Sequence, residues 1–332
     1  MMGQEEFSKK PTLVFVSAAS HSGSTLSSLL IASHQKFCTV GELKATNLGD
    51  VDKYRCACLE PIKACGFWRD VHNKMEEKGL RFRVWEAGTN FSDTSNGYAK
   101  KLLKPLVRNR VIEFFRDTLL YLSPSWRYEL KQKLKRNLSL IQSLHEISGK
   151  QFIVDSSKIG LRLKFLLRIK EIDIKVVRLV RDGRGVALTY VNPVDFADAK
   201  DKKLRGGGSG ESRDHEVLNM YDAAREWRRS NEEAEEILKV LPKDNWVQIR
   251  YEDICRDTIG TLNKVYDFLG VEPITVLPNF RAANKHVIGN GMRLDSDSTI
   301  ELDERWREVL TEKQLREFNK VAGTLNRRYG YV

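Results

Sequence analysis

Apolar residues along this chain gather into short, dense runs separated by longer stretches with helical spacing. Thr12 to Ser17, Gln151 to Asp155, Lys175 to Val180 and Trp246 to Arg250 are the densest runs. Each is brief, mostly apolar and without strict alternation, the pattern of a strand buried on both faces of a parallel sheet. The intervals between them leave room for crossover helices. Leu26, Leu29 and Leu30 recur with helical period, and His34 and Phe37 extend it. Leu138, Leu140, Ile141, Leu144 and Ile147 do the same, as do Leu161, Leu163, Leu166, Leu167 and Ile169. Asp214 to Leu241 reads as a long charged helix carrying Leu218, Tyr221, Ala224, Trp227 and Leu238. Thr311 is placed to cap a last helix that runs to Tyr329. The pattern predicts an α/β fold of three layers, a central parallel sheet flanked by helices.

Residues 70 to 135 break the strand-helix alternation, being mostly helical and basic after a polar stretch from Gly88 to Gly97. They read as part of a helical insertion, about 70–148, laid over the open edge of the sheet. The expected organisation is a single domain spanning 1–332, with its core at about 11–55 and 150–332. Lys203-Leu204-Arg205-Gly206-Gly207-Gly208-Ser209-Gly210 is the one low-complexity segment, suited to a hinge, a lid or an ordinary surface loop.

A length of 332 residues suffices for one large α/β domain. No run of 18 apolar residues is present, and the first ten residues mix charges in a way that secretory leaders do not. The expectation is a soluble, cytoplasmic protein. Much of the net charge of +11 lies between Lys100 and Arg136, where eleven basic residues face three acidic ones. Such a stretch could attract nucleic acid, an anionic lipid surface or an anionic substrate, or form a solvated helical face. Trp126, Tyr128 and Phe114 lie there at helical spacing and are expected in the core rather than stacked on bases. Five cysteines are too few for a disulfide scaffold. Cys56, Cys58 and Cys65 cluster, however, and could ligate zinc with a fourth ligand such as His72, or form a disulfide.

The first dense run is followed by Ala18-Ala19-Ser20-His21-Ser22-Gly23-Ser24-Thr25 and then by the Leu26 helix. A small, glycine-containing turn between strand and helix lets backbone N–H groups converge on an anion at the positive end of the helix. The triphosphate-binding version of this turn carries a lysine after its last glycine, and none follows Gly23. A single 5′-phosphate with something attached fits better. A second anion site is suggested by Arg181, just past the run Lys175 to Val180, with the hydroxyl of Thr189 eight residues later. Two phosphate sites on one sheet, neither with a magnesium motif, suggest a nucleotide bearing separated phosphates.

With these two motifs the chain resembles the sulfotransferase superfamily over most of its length. His21-Ser22-Gly23-Ser24-Thr25-Leu26 is similar to that family's 5′-phosphosulfate loop, and Arg181 through Tyr190 to its 3′-phosphate motif. Arg250-Tyr251-Glu252-Asp253-Ile254, followed by Phe268-Leu269-Gly270-Val271, resembles a further segment near the adenine. Val154 to Lys158, Cys56 to Trp68, and His286 to Arg293 are similar to a mainly bacterial branch. The resemblance implies a P-loop-like fold and 3′-phosphoadenosine 5′-phosphosulfate as donor, with no metal required. The sulfuryl group would pass to a hydroxyl or amine of a small-molecule, sugar or lipid acceptor, with peripheral membrane contact conceivable and no nucleic-acid partner. Arg181, Thr189, Asn290 and Arg293 would hold the 3′-phosphate region, and Tyr251 the adenine. His21 stands where the family usually has arginine or lysine, so it would steady the leaving phosphate fully only when protonated.

Such a transfer needs a base for the attacking group and positive charge at the leaving oxygen. Glu42, after the first helix and the Gly41 turn, can return to the mouth of the phosphate loop and is the proposed general base. His286 is the reserve. Lys158, past the carboxyl end of the second dense run, is placed to stabilise transition-state charge. Two other function classes compete: a phosphate-loop kinase of small molecules, which would need magnesium and a loop lysine, and a non-catalytic polyanion binder driven by the basic segment.

Overall fold

The computed structural model describes residues 10–44, 48–104, 110–193, 202–204, 217–283 and 286–332. The glycine-rich stretch 205–210, and with it the hinge or lid expectation, lies outside them.

Five strands form one wholly parallel sheet: β1 (Thr12–Ser17), β2 (Phe37–Thr39), β3 (Phe152–Lys158), β4 (Asp173–Val180) and β5 (Trp246–Arg250), in the spatial order β2-β3-β1-β4-β5. Helix α1 (Ser24–Ile31) follows β1. Between β2 and β3 come α2 (Gly66–Glu77), α3 (Gly97–Leu102), α4 (Arg110–Leu122) and α5 (Pro124–Ser148). Helix α6 (Gly160–Leu166) joins β3 to β4, and α7 (Gly183–Val191) and α8 (Met220–Leu238) lie between β4 and β5. The chain continues through α9 (Tyr251–Arg256), α10 (Thr258–Phe268), α11 (Phe280–Ala283), α12 (Trp306–Val309) and α13 (Glu312–Arg328).

All six residues of β1 are buried, and their side chains divide by parity. Leu13 and Phe15 enter a core with Ile153, Val176 and residues of α2, α5 and α6. Val14 and Val16 enter another with Val154, Leu179, Ile249 and residues of α1 and α10. A third cluster packs α7, α8 and α13 together around Trp227 and Phe318. The three-layer expectation therefore holds, and the carboxyl ends of β1, β3 and β4 meet at the centre of one sheet edge, where open α/β folds bind ligands.

Four of the five strands fall on the densest apolar runs. The fifth, β2, begins at Phe37, which helical spacing had attached to α1. That helix ends at Ile31, and Phe37 instead pairs with Phe152 of β3 and stacks on its ring at 4.7 Å. The helices between β2 and β3 sit on the β2–β3 side, with α5 packed against both strands. Trp126 is buried as expected, but Phe114 and Tyr128 are exposed, at 67% and 69%, and do not belong to the core. Part of the basic excess there is internal. Arg116 is paired with Glu113 and Asp117, and Lys133 donates to the carbonyls of Asn90 and Asp93. Among the described residues, no helix is long and apolar enough to cross a membrane.

Candidate active site

Strand β1 leaves the sheet at Ser17, and the next six residues turn into α1. Two of them need left-handed backbone: His21 at φ 61° and Gly23 at φ 83°. A non-glycine residue in that region is uncommon and marks a site held in shape by its surroundings. At Gly23 a side chain has no room, because a Cβ would lie 2.5 Å from Cδ2 of Tyr251. Gly23 is also the N-cap of α1, whose first amides receive no side-chain cap. Ser22 is 1% exposed, and its Oγ has no hydrogen-bond partner. Leaving a buried hydroxyl unpaired costs about 1–3 kcal/mol. Uncapped amides beside an unsatisfied hydroxyl fit an anion of phosphate type. Ser24 is buried and Thr25 half-buried at the same helix start, whereas Leu26 points into the core below.

Arg181, just beyond β4, reaches this loop directly. Its Nη1 donates to the His21 carbonyl at 2.9 Å, and its guanidinium lies over the Tyr251 ring, 4.4 Å from the centroid. Tyr251 thus stands between Gly23 and Arg181. The other arm of Arg181 pairs with Asp303 at 3.0 Å. Burial pushes the Asp303 carboxyl up, but bonds from Arg305 and the charge of Arg181 outweigh it and leave its pKa at about 2. Thr189 is 4% exposed, and its hydroxyl donates to Val186 within α7 at 2.7 Å. The ring of His21 meets Tyr190 edge-on at 4.7 Å.

On the other side of the loop, Lys158 ends β3 with φ 60°, in register with Ser17 of β1. Its ammonium is bonded to Glu42, and Lys44 pairs with the same carboxylate at 3.0 Å. Burial alone raises the Glu42 pKa; the two lysines outweigh that and hold it at about 2. The turn that carries Glu42 is fixed from beneath. Asp155, fully buried in β3, accepts from the Leu43 amide at 3.1 Å and from the Ser157 hydroxyl at 2.5 Å. Ser157 in turn accepts from the Lys44 amide at 3.0 Å. Arg162 of α6 neutralises Asp155 at 3.1 Å and donates to Thr89 and Asn137, both in the segment between β2 and β3.

The residues singled out from the sequence therefore fall into two groups. His21 to Thr25, Arg181 and Tyr251 share one neighbourhood, with Lys158 and Glu42 against the opposite flank of β1. Asn290 and Arg293 make their contacts within the 286–293 loop and to the Tyr54–Arg55 segment. Asn290 caps the short turn that follows it, accepting from the Met292 amide at 3.0 Å. Arg293 is 4% exposed and gives its donors to the carbonyls of Val287, Asn290 and Arg55, with its guanidinium over Tyr54. These contacts brace its own loop. His286 faces cysteines, with Nδ1 3.6 Å from Cys65 Sγ. His72 is not among those cysteines, since its Nδ1 lies 2.5 Å from the Phe82 carbonyl.

Asp155, Arg162, Lys44 and Asp303 went unread in the sequence. Only Asp155 left a trace, as a carboxylate inside an apolar run.

The sulfotransferase family model matches residues 110–275, half of the chain. Carbohydrate sulfotransferase 2 of Homo sapiens is 25% identical over 188 residues, 47% of this chain and 34% of that protein. Carbohydrate sulfotransferase 3 of Homo sapiens is 27% identical over 187 residues, 51% of this chain and 36% of that one. The chain spans about a third of the length of these relatives. In fold it is similar to the sulfotransferase domain from the curacin biosynthetic pathway, with a TM-score of 0.51 at 19% identity over 98% of this chain and 99% of the other. The uncapped anion turn after β1, the arginine brought to it from β4 and the match across half of the sequence lead to one conclusion: the chain belongs to the sulfotransferase family.

Proposed function

We propose that this chain moves a sulfuryl group from 3′-phosphoadenosine 5′-phosphosulfate to a hydroxyl of a sugar acceptor. The observation that carries this reading is the bond from Arg181 to the His21 carbonyl. It sets a buried arginine against the anion turn, so that one ligand with two separated phosphates can engage both. The amides of Ser22 to Thr25 would receive the 5′-phosphosulfate. Arg181 would receive the 3′-phosphate, joined by Thr189 once its hydroxyl turns from Val186. The sugar acceptor is taken from the names of the carbohydrate sulfotransferases that the chain is similar to.

In the reaction the acceptor oxygen forms a bond to sulfur, and its proton passes to Glu42. The bond from sulfur to the bridging oxygen breaks, and that oxygen keeps the electron pair. The positive end of α1, Lys158 and His21 would offset the charge it gains. A carboxylate with a pKa near 2 is a weak base for an alcohol. Lys158 eases this by turning from Glu42 to the incoming sulfonate, which removes one of the two cations that hold the carboxylate down, leaves Lys44 in place and raises the carboxylate's basicity as the donor arrives.

Calorimetry tests the donor half. 3′-Phosphoadenosine 5′-phosphate should bind without magnesium, and Arg181→Ala should weaken it about tenfold or more through loss of a charge-assisted bond. Preferential binding of ATP with magnesium, or an unchanged affinity in the variant, overturns the reading. Transfer of labelled sulfuryl to sugars, measured beside lipids and amines, tests the acceptor half.

A further inference from the structure

Residues Tyr54 to Ile62 close into a tight hairpin. Arg55 bridges to Pro61, the Cys56 amide donates to Glu60 at 2.9 Å, and the Leu59 amide donates back to Cys56 at 2.9 Å. Leu59 takes φ 69° to complete the turn. The hairpin brings Cys56 and Cys58 beside Cys65, the N-cap of α2, and His286 arrives from the far end of the chain. The four donor atoms all lie within 4.8 Å of one another.

Three of the six separations match the edges of a tetrahedron. With Zn–S near 2.3 Å and Zn–N near 2.0–2.1 Å, tetrahedral geometry places sulfur atoms about 3.8 Å apart and sulfur about 3.5 Å from nitrogen. Cys58 and Cys65 Sγ are 3.7 Å apart, and His286 Nδ1 lies 3.6 Å from Cys65 Sγ and 3.8 Å from Cys56 Sγ. The His286 ring is held flat on Phe67, 4.5 Å between centroids and 1° between planes, which fixes the direction of its ligating nitrogen.

We propose that Cys56, Cys58, Cys65 and His286 bind one zinc ion as a closed structural site. Three sulfurs and an imidazole select a borderline-soft metal over magnesium or calcium, and four protein ligands leave no open position for catalysis. A Cys58–Cys65 disulfide would engage only two of the four convergent groups. The ion fastens the 286–293 loop to the start of the helical segment. That loop is the wall of the Glu42 turn: the Ile288 amide donates to Val40 at 2.9 Å, the Gly289 amide to Tyr54 at 2.7 Å, and a Cβ on Gly289 would sit 3.8 Å from Glu42 Cγ.

The test is metal analysis of the untagged full chain after dialysis against metal-free buffer. One zinc per chain is expected, and cobalt exchanged into the site should give the strong visible bands of tetrahedral cobalt with a sulfur-to-cobalt charge-transfer band. Cys58→Ser and His286→Ala, both at half-buried positions, should drop the zinc content below a tenth, while His286→Cys should retain it. Substoichiometric zinc in the wild-type protein, a Cys58–Cys65 disulfide found by mass spectrometry after alkylation, or full zinc retention in Cys58→Ser and His286→Ala overturns the proposal. The cobalt spectrum of the unaltered chain decides the matter even if a variant fails to fold, and every readout is independent of donor or acceptor.

Discussion

Glu42 and Lys158 hold opposite charges in contact at the carboxyl end of β3, where the proposed reaction needs a proton taken up and a negative charge received. Glu42→Gln should lower turnover roughly 100-fold or more if the carboxylate takes the proton, with donor affinity little changed. It should also cost stability in a pH-dependent way. A carboxyl whose pKa falls from 4.5 to about 2 on folding stabilises fully above 4.5, by about 3 kcal/mol, and that contribution is lost as pH falls toward 2. Urea unfolding should therefore separate wild type from the variant at pH 7 and by less than half as much at pH 3. At this scale the sequence was legible where function follows chain neighbourhood. His21 to Thr25 are consecutive, so their turn could be read from residue types alone. The Asp303 carboxylate on Arg181, the carbonyls around Arg293 and the cysteines around His286 are set by tertiary contacts between segments far apart in the chain. No local pattern encodes them.

Among the elements, α7 starts at a position with little room. It begins at Gly183, two residues after Arg181, and a Cβ there would meet Phe318 Cζ at 2.5 Å and Trp227 Cδ2 at 2.8 Å. Gly183→Ala should cost about 1–3 kcal/mol as α8 and α13 give way, seen as a lower melting temperature. Donor binding should weaken with it, since Arg181 moves with the helix start. The ends of α13 were readable, because Thr311 and Gln314 form a reciprocal capping box. The three residues of β2 were not. A strand so short has no period of its own, and Phe37 falls in phase with the apolar face of α1. Burial along α4 was equally hidden: helical spacing identifies a face but not whether anything covers it, and Phe114 is left in solvent.

For the molecule as a whole, Arg162 is one tie between sheet and added helices. One guanidinium reaches Asp155 of β3, the Thr89 carbonyl and Asn137 of α5. Arg162→Met should cost about 3–5 kcal/mol, because it strands a fully buried Asp155 charge. Adding Asp155→Asn should recover part of that in equilibrium unfolding, which a simple packing defect would not permit. The sheet order carries a different consequence, one of timing. Thr12 of β1 lies beside Phe152 on one flank and Asp173 on the other. At synthesis rates of about 5–20 residues per second, the β1 segment waits on the order of ten seconds for both neighbours to emerge. Until then Leu13 to Val16 remain a sticky, β-prone tract on the nascent polypeptide, the natural first client for a ribosome-bound chaperone.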